Sequence, residues 1–214
     1  MDAYCERIGP GLLAEPLNAV SNVSFLLAAL AAWVLAERTG TLSARVRVLI
    51  ALAASVGIGS ILWHTYPTML TLILDIVPIL IFIICYIWLY TRNVIGMRPL
   101  FAVTCDAAFV LGTFFFIQFA DVLHGAFVYT PGLIVTLMLG VFHARERTVA
   151  RFTLLAAAGV YLAALFFRTI DNEACPVLPI GTHFLWHLLI GLVTYLAMRS
   201  LMLSTTTGVG ARVR

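Results

Sequence analysis

The sequence predicts an all-α membrane protein, a seven-transmembrane helix bundle with its N-terminus outside and its C-terminus cytoplasmic. Three observations carry that expectation. Of 214 residues, 62% are hydrophobic and 11% charged, with a mean hydropathy of +1.04, whereas a soluble domain is only about half apolar. Mostly apolar runs recur along the chain at close to the ~20 residues needed to cross ~30 Å of hydrocarbon, and such runs are best satisfied as helices. The basic residues, all of them arginine, fall almost entirely on one side of the membrane if seven crossings are assumed.

The runs fall at 17–36, 46–64, 69–90, 99–119, 125–143, 152–168 and 181–199. The first carries Asn18, Ser21 and Asn22 at i, i+3 and i+4, one face of short polar side chains suited to interhelical hydrogen bonds. It lacks the basic region of a cleaved signal peptide, so it is expected to remain as a helix. The second ends on Ser60 and His64. The third follows the turn Thr65–Thr68 and holds Asp75 about 9 Å along its axis. The fourth contains Cys105 and Asp106, an acid inside a span that needs either a proton or a partner. His124 and His143 flank the fifth and read as interfacial or hydrogen-bonded side chains. The sixth ends on Arg168, which is expected to pair with Asp121 at the outer rim. The seventh opens with His183 and His187. Trp33, Trp63, Trp88 and Trp186 fall near interfaces or the histidine layer, as belts or packing. Connections are short, so 1–214 reads as one domain with an extramembrane segment 1–16 and a cytoplasmic tail 200–214.

Orientation rests on arginine because the chain has no lysine. With seven helices, Arg38, Arg45, Arg47, Arg92, Arg98, Arg145, Arg147, Arg151, Arg199, Arg212 and Arg214 share one side, and only Arg7 and Arg168 take the other. The crowded side is cytoplasmic. The net charge of +3 is therefore topological and implies no nucleic-acid partner. Arginine without lysine, with abundant alanine and leucine, points to a GC-rich bacterial genome and so to an integral multi-pass protein of the bacterial inner membrane. Cys85 and Cys105 lie inside spans as small hydrophobes. Cys5 and Cys175 both lie on the outer side, where an oxidising compartment would join them as a disulfide; two unpaired loop thiols are the alternative.

His183 and His187, at i and i+4, share one helix face at a spacing that lets two imidazoles hold one metal. Ser60 and His64 repeat that spacing on the second helix, and Asp75 and His187 lie at similar depths. Groups distant in sequence thus reach one layer near the outer surface. Three neutral imidazoles leave a fourth position open on Zn²⁺, as in catalytic sites. Zinc lowers the pKa of bound water to about 7. Asp75 is then the candidate to take and return a proton, and Ser60 the candidate donor to a developing oxyanion.

Those residues carry a resemblance. GSILWHTYPTMLTLILDIVP, GTHFLWH and the opening CER…AEPLNAVSN resemble the alkaline ceramidase family, within the seven-helix hydrolase superfamily that includes adiponectin receptors. The resemblance implies zinc ligands at His64, His183 and His187, an acid/base role for Asp75 and an oxyanion role for Ser60. The implied activity is hydrolysis of the ceramide amide bond, or that of a similar lipid amide, to a fatty acid and a sphingoid base, the lipid entering from the membrane. The family's calcium strip is matched by Glu6 and Glu15, with Asp2 one residue out of step; Ala3 and Ile8 stand where the family often has oxygen ligands, and Ca²⁺ takes six to eight oxygens.

Competing readings use the same residues. A retinal protein is excluded by the absence of lysine for a Schiff base. A haem-bearing electron carrier would use two histidines on opposite faces and leave the third, with Asp75, unexplained. A lipid receptor or transporter without turnover would share the cavity and differ in releasing no product.

Overall fold

The structure, a computed structural model, describes residues 4–7, 9, 11–146 and 149–210, the side chains of 206–210 excepted. All regular structure among them is helical. Helices α1 (Pro16–Ser21) and α2 (Val23–Arg38) join through Asn22, whose backbone stays helical, so one span runs Pro16–Arg38. Pro16 opens it at the position where a missing N–H costs nothing. Next come α3 (Ala44–Thr65), whose N-cap Ser43 accepts from the Val46 N–H, and α4 (Met69–Tyr90), started by a Thr68/Thr71 capping box. A π-turn, Thr91–Ile95, ends α4 at left-handed Gly96. The chain continues with α5 (Pro99–Ile117), a 3₁₀ stretch (Val122–Tyr129), α6 (Thr130–Glu146), α7 (Thr153–Thr169), the short α8 (Asp171–Ala174) and α9 (His183–Gly210).

Among the described residues six spans are long and apolar enough to cross a bilayer: Pro16–Arg38, Ala44–Thr65, Met69–Ile95, Pro99–Ile117, Val122–Glu146 and His183–Thr205. The stretch expected at 152–168 forms α7, a 17-residue apolar helix, shorter than those six.

Half of the α9 span is buried against 11% of α5, which puts α9 at the centre and α5 at the periphery. α9 packs along α2 and α7. Small residues let these axes approach, as they must where packing rather than water drives association: Ala29, Ala32 and Ala36 line one buried face of α2, and Ala157 and Ala164 one of α7. A core of Leu49, Tyr90, Leu154, Met198, Leu201 and Met202 fills the bundle away from the histidines. Large apolar side chains such as Leu100, Leu111, Phe114 and Met138 point outward, as hydrocarbon contact requires.

One close approach sets the site. A Cβ on Gly59 would overlap the backbone of Leu74, and one on Gly57 would press on Phe25 and the Asn22 carbonyl. Pro78, inside α4, has no N–H for the Leu74 carbonyl four residues earlier. The backbone of α3 therefore lies directly against that freed carbonyl, with Ser60 and Asp75 on either side of the contact.

Candidate metal centre

His64 is the penultimate residue of α3, His183 the first of α9, and His187 follows one turn later. All three are buried, and one ligand atom from each lies within 4.8 Å of the others. The ring centroids stand 4.5 Å (His183–His187), 4.7 Å (His64–His187) and 5.4 Å (His64–His183) apart. Tyr4 lies over this cluster, stacked on His183 at 4.0 Å. Burial holds its phenol above the usual range, against the pull of Arg168.

Two of the imidazoles are held from behind. Glu15 Oε2 lies 2.5 Å from His64 Nδ1; a carboxylate only accepts, so Nδ1 carries the proton and Nε2 keeps its lone pair. Glu15 also accepts from Arg7 Nε and from Asn18 Nδ2. Burial opposes its charge, but the bonds from His64, Asn18 and Arg7 outweigh burial and hold the carboxyl below the usual range. The Ser21 hydroxyl bonds both the Asn18 carbonyl, at 2.9 Å, and His187 Nδ1, at 2.8 Å. With its proton on that carbonyl it accepts from Nδ1–H and again leaves Nε2 free. Ser24 donates to the His187 carbonyl. Of the polar face Asn18, Ser21, Asn22, Ser21 bonds across to a histidine, whereas Asn18 Nδ2 donates to Glu15 and Asn22 Nδ2 to the Asn18 carbonyl of its own span.

The start of α9 depends on Asp171, a buried residue that sequence reasoning passed over. Its Oδ1 accepts from the N–H groups of Thr182 (2.7 Å) and His183 (2.9 Å), and Oδ2 from Cys5 N (3.0 Å). The first two are orphan donors at the start of α9, satisfied from α8. Gly181 sits between at φ +63°, with no room for a Cβ beside Asp171 and Cys5. The signal was there in an acid closely following the sixth apolar run, and its target was not. Cys5 and Cys175 form a disulfide, Cα–Cα 5.5 Å, which fastens the N-terminal strip to the same loop.

Ser60, Asp75 and the three histidines line one chamber, and its walls continue away from them as apolar surface from Val56, Phe82, Ile83, Val193 and Ala197. Asp75 has Ser60, His64 and Arg168 as its electrostatic neighbours. Arg168 corrects an expectation: it makes no ion pair with Asp121 among the described residues but turns inward, its Nη1 3.4 Å from His183 Nδ1 and its guanidinium 4.9 Å from the Tyr129 ring and 5.4 Å from Trp186. Aromatic faces hold a cation that Asp121 was expected to hold. Asp106 Oδ1 has no hydrogen-bond partner among the described residues. Cys85 and Cys105 are free thiols.

The calcium expectation meets a different arrangement. Both oxygens of Glu6 accept backbone N–H bonds, from Leu17 (2.7 Å) and Asn18 (2.8 Å). Glu15 is engaged as above, and Asp2 lies outside the described residues. Among the described residues the two carboxylates serve protein donors and do not form the shared oxygen cage that Ca²⁺ takes.

A family model described as Ceramidase matches residues 4–212, nearly the whole chain. The chain belongs to the ceramidase family. No curated protein matches it. For a ceramidase-family chain, hydrolysis of a lipid amide is the supported activity, and the buried histidine trio is a candidate metal site. The long apolar helices fit a multi-pass membrane protein.

Proposed function

We propose that this ceramidase-family protein is an intramembrane zinc-dependent amidohydrolase, cleaving the amide bond of ceramide or a similar lipid amide to a fatty acid and a sphingoid base or amine. The observation that carries the reading is the convergence of three buried imidazoles with Asp75 and Ser60 at the head of an apolar chamber. His64, His183 and His187 would hold the metal. Neutral imidazoles suit Zn²⁺, and the hydrogen bonds of Glu15 and Ser21 leave Nε2 of His64 and His187 available for it. When bound, zinc would supply Lewis acidity and lower the pKa of a water to about 7.

The chain's own groups do the rest. Asp75 takes the proton of the attacking water on a carboxylate oxygen and returns it to the amide nitrogen as the C–N bond breaks. Ser60 donates to the carbonyl oxygen as negative charge grows there. The chamber wall receives the acyl chain and keeps bulk water out. A haem reading fits poorly, because rings with centroids 4.5 to 5.4 Å apart stand too close for a macrocycle between two of them.

We read α7 as a seventh crossing within one domain, residues 1–214. Cys5 is tied beside the start of α9, and α9 then runs to the opposite end of the bundle; an odd number of crossings puts the chain ends on opposite sides. The arginine bias places the C-terminus in the cytoplasm.

The test combines metal analysis with mass spectrometry of lipid amides, using wild type, His187→Ala and Asp75→Asn. Expected are one bound zinc and free fatty acid from wild type, loss of both in His187→Ala, and retained zinc without product in Asp75→Asn. Product from Asp75→Asn equal to that from wild type, or a Soret band in the purified protein, sinks the reading.

A further inference from the structure

We infer that the guanidinium of Arg7 is the built-in cation of the N-terminal strip, so that this protein holds its outer acidic segment and His64 in place without calcium. The strip has two buried carboxylates, Glu6 and Glu15, and acids at such depth persist only when compensated. In the resembling family the compensation is a divalent ion, whose six to eight oxygens would come partly from positions 3 and 8. Here those positions are Ala3 and Ile8, and neither side chain offers an oxygen.

What replaces the ion is visible in the hydrogen bonds. Glu6 is satisfied by the Leu17 and Asn18 N–H groups at the start of the first span. Glu15 is satisfied by Arg7, whose side chain is 6% exposed, and by Asn18 and His64. Among the described residues of the strip, each acid has its own positive or donating partner, and neither is left over for a second cation. A fixed guanidinium beside Glu15 also repels a divalent ion from the place where it would have to sit, in a site too dry to screen the repulsion.

Arg7, Glu15 and His64 form one line, so Arg7 acts on the metal centre through Glu15 as a positioning residue. An ion would couple the strip to calcium concentration; a covalently attached cation makes it constitutive. Arginine suits this better than lysine, because its planar fork keeps its geometry and it stays charged when buried.

The test uses the full-length protein in detergent micelles and reads stability and ion binding, neither of which depends on turnover. Wild type is expected to melt at the same temperature in millimolar CaCl₂ and in EGTA, and to give no terbium luminescence that Glu15→Gln abolishes. Arg7→Gln is expected to lower Tm by about 5 °C or more, with Arg7→Lys intermediate. In Ala3→Asp/Arg7→Gln/Ile8→Asn, which restores side-chain oxygens and removes the cation, CaCl₂ is expected to raise Tm. A calcium-dependent Tm in wild type, terbium binding lost in Glu15→Gln, or an Arg7→Gln protein as stable as wild type would each overturn the inference. Because these readouts need no substrate, a failed hydrolase assay leaves the result interpretable.

Discussion

Two ends of this bundle each bury histidine, and they do so to opposite purposes. At one end His64, His183 and His187 cluster, and Glu15 and Ser21 hold two of them by Nδ1 alone. At the other, His143 is fully buried with both nitrogens engaged, Nδ1 by the Tyr90 hydroxyl at 2.6 Å and Ser200 at 3.3 Å, Nε2 by the Val149 carbonyl at 3.1 Å. It sits beside the core of Met198, Leu201 and Met202. A buried imidazole with both nitrogens consumed is a packing element; one with a nitrogen in reserve, facing others like it across a cavity, is a ligand in waiting. Depth and polarity do not distinguish the two ends, whereas the count of satisfied nitrogens does.

That contrast is easiest to break with paired alanine variants. His187→Ala is expected to abolish zinc binding and turnover while the bundle still folds. His143→Ala is expected to keep zinc and turnover per folded molecule and to lose about 2–4 kcal/mol of stability through a cavity and the loss of the bond between the imidazole and the Tyr90 hydroxyl. Metal content and thermal melts on both variants decide it, and zinc lost from His143→Ala would erase the distinction. Comparable in size, reducing the Cys5–Cys175 disulfide is expected to cost about 2–4 kcal/mol and to expose the histidine end to proteolysis while sparing the other, which limited digestion with and without reductant will show.

Smaller effects sharpen the comparison. Glu15→Gln is expected to weaken zinc binding about 10- to 100-fold in competition with a chelator, while Ser200→Ala at the other end leaves the metal untouched. Gly59→Ala is expected to lose about 1–3 kcal/mol by overpacking and, by prising Ser60 from Asp75, to lower kcat more than it raises KM. The exposed His124–Glu173 pair is expected to give the least. The bonds that hold Glu173 below its usual carboxylate range mean that any contribution exists above its unfolded pKa and fades as pH falls through the folded one. Melts of Glu173→Gln against wild type at neutral pH should coincide, as for most surface pairs.

Much of this was legible in the chain. The apolar runs fixed an all-helical membrane class because backbone groups in hydrocarbon have no other partner, and the i, i+4 spacing of His183 and His187 put two imidazoles on one face by helical geometry alone. Ser60, Asp75 and His64 could be assigned to that layer by counting residues from the turn at Thr65–Thr68. Those properties are local, set by a period or a length. The rest depended on how each helix is rotated and which distant loop reaches it: Glu15 behind His64, Ser21 behind His187, Asp171 at the head of α9, Arg168 drawn inward under Tyr129 and Trp186, and Gly59 against the carbonyl that Pro78 leaves free. A periodicity carries no information about its partner's azimuth. Sequence alone therefore determined that three histidines share a layer in an apolar bundle, and tertiary packing decided which of their nitrogens point into the chamber.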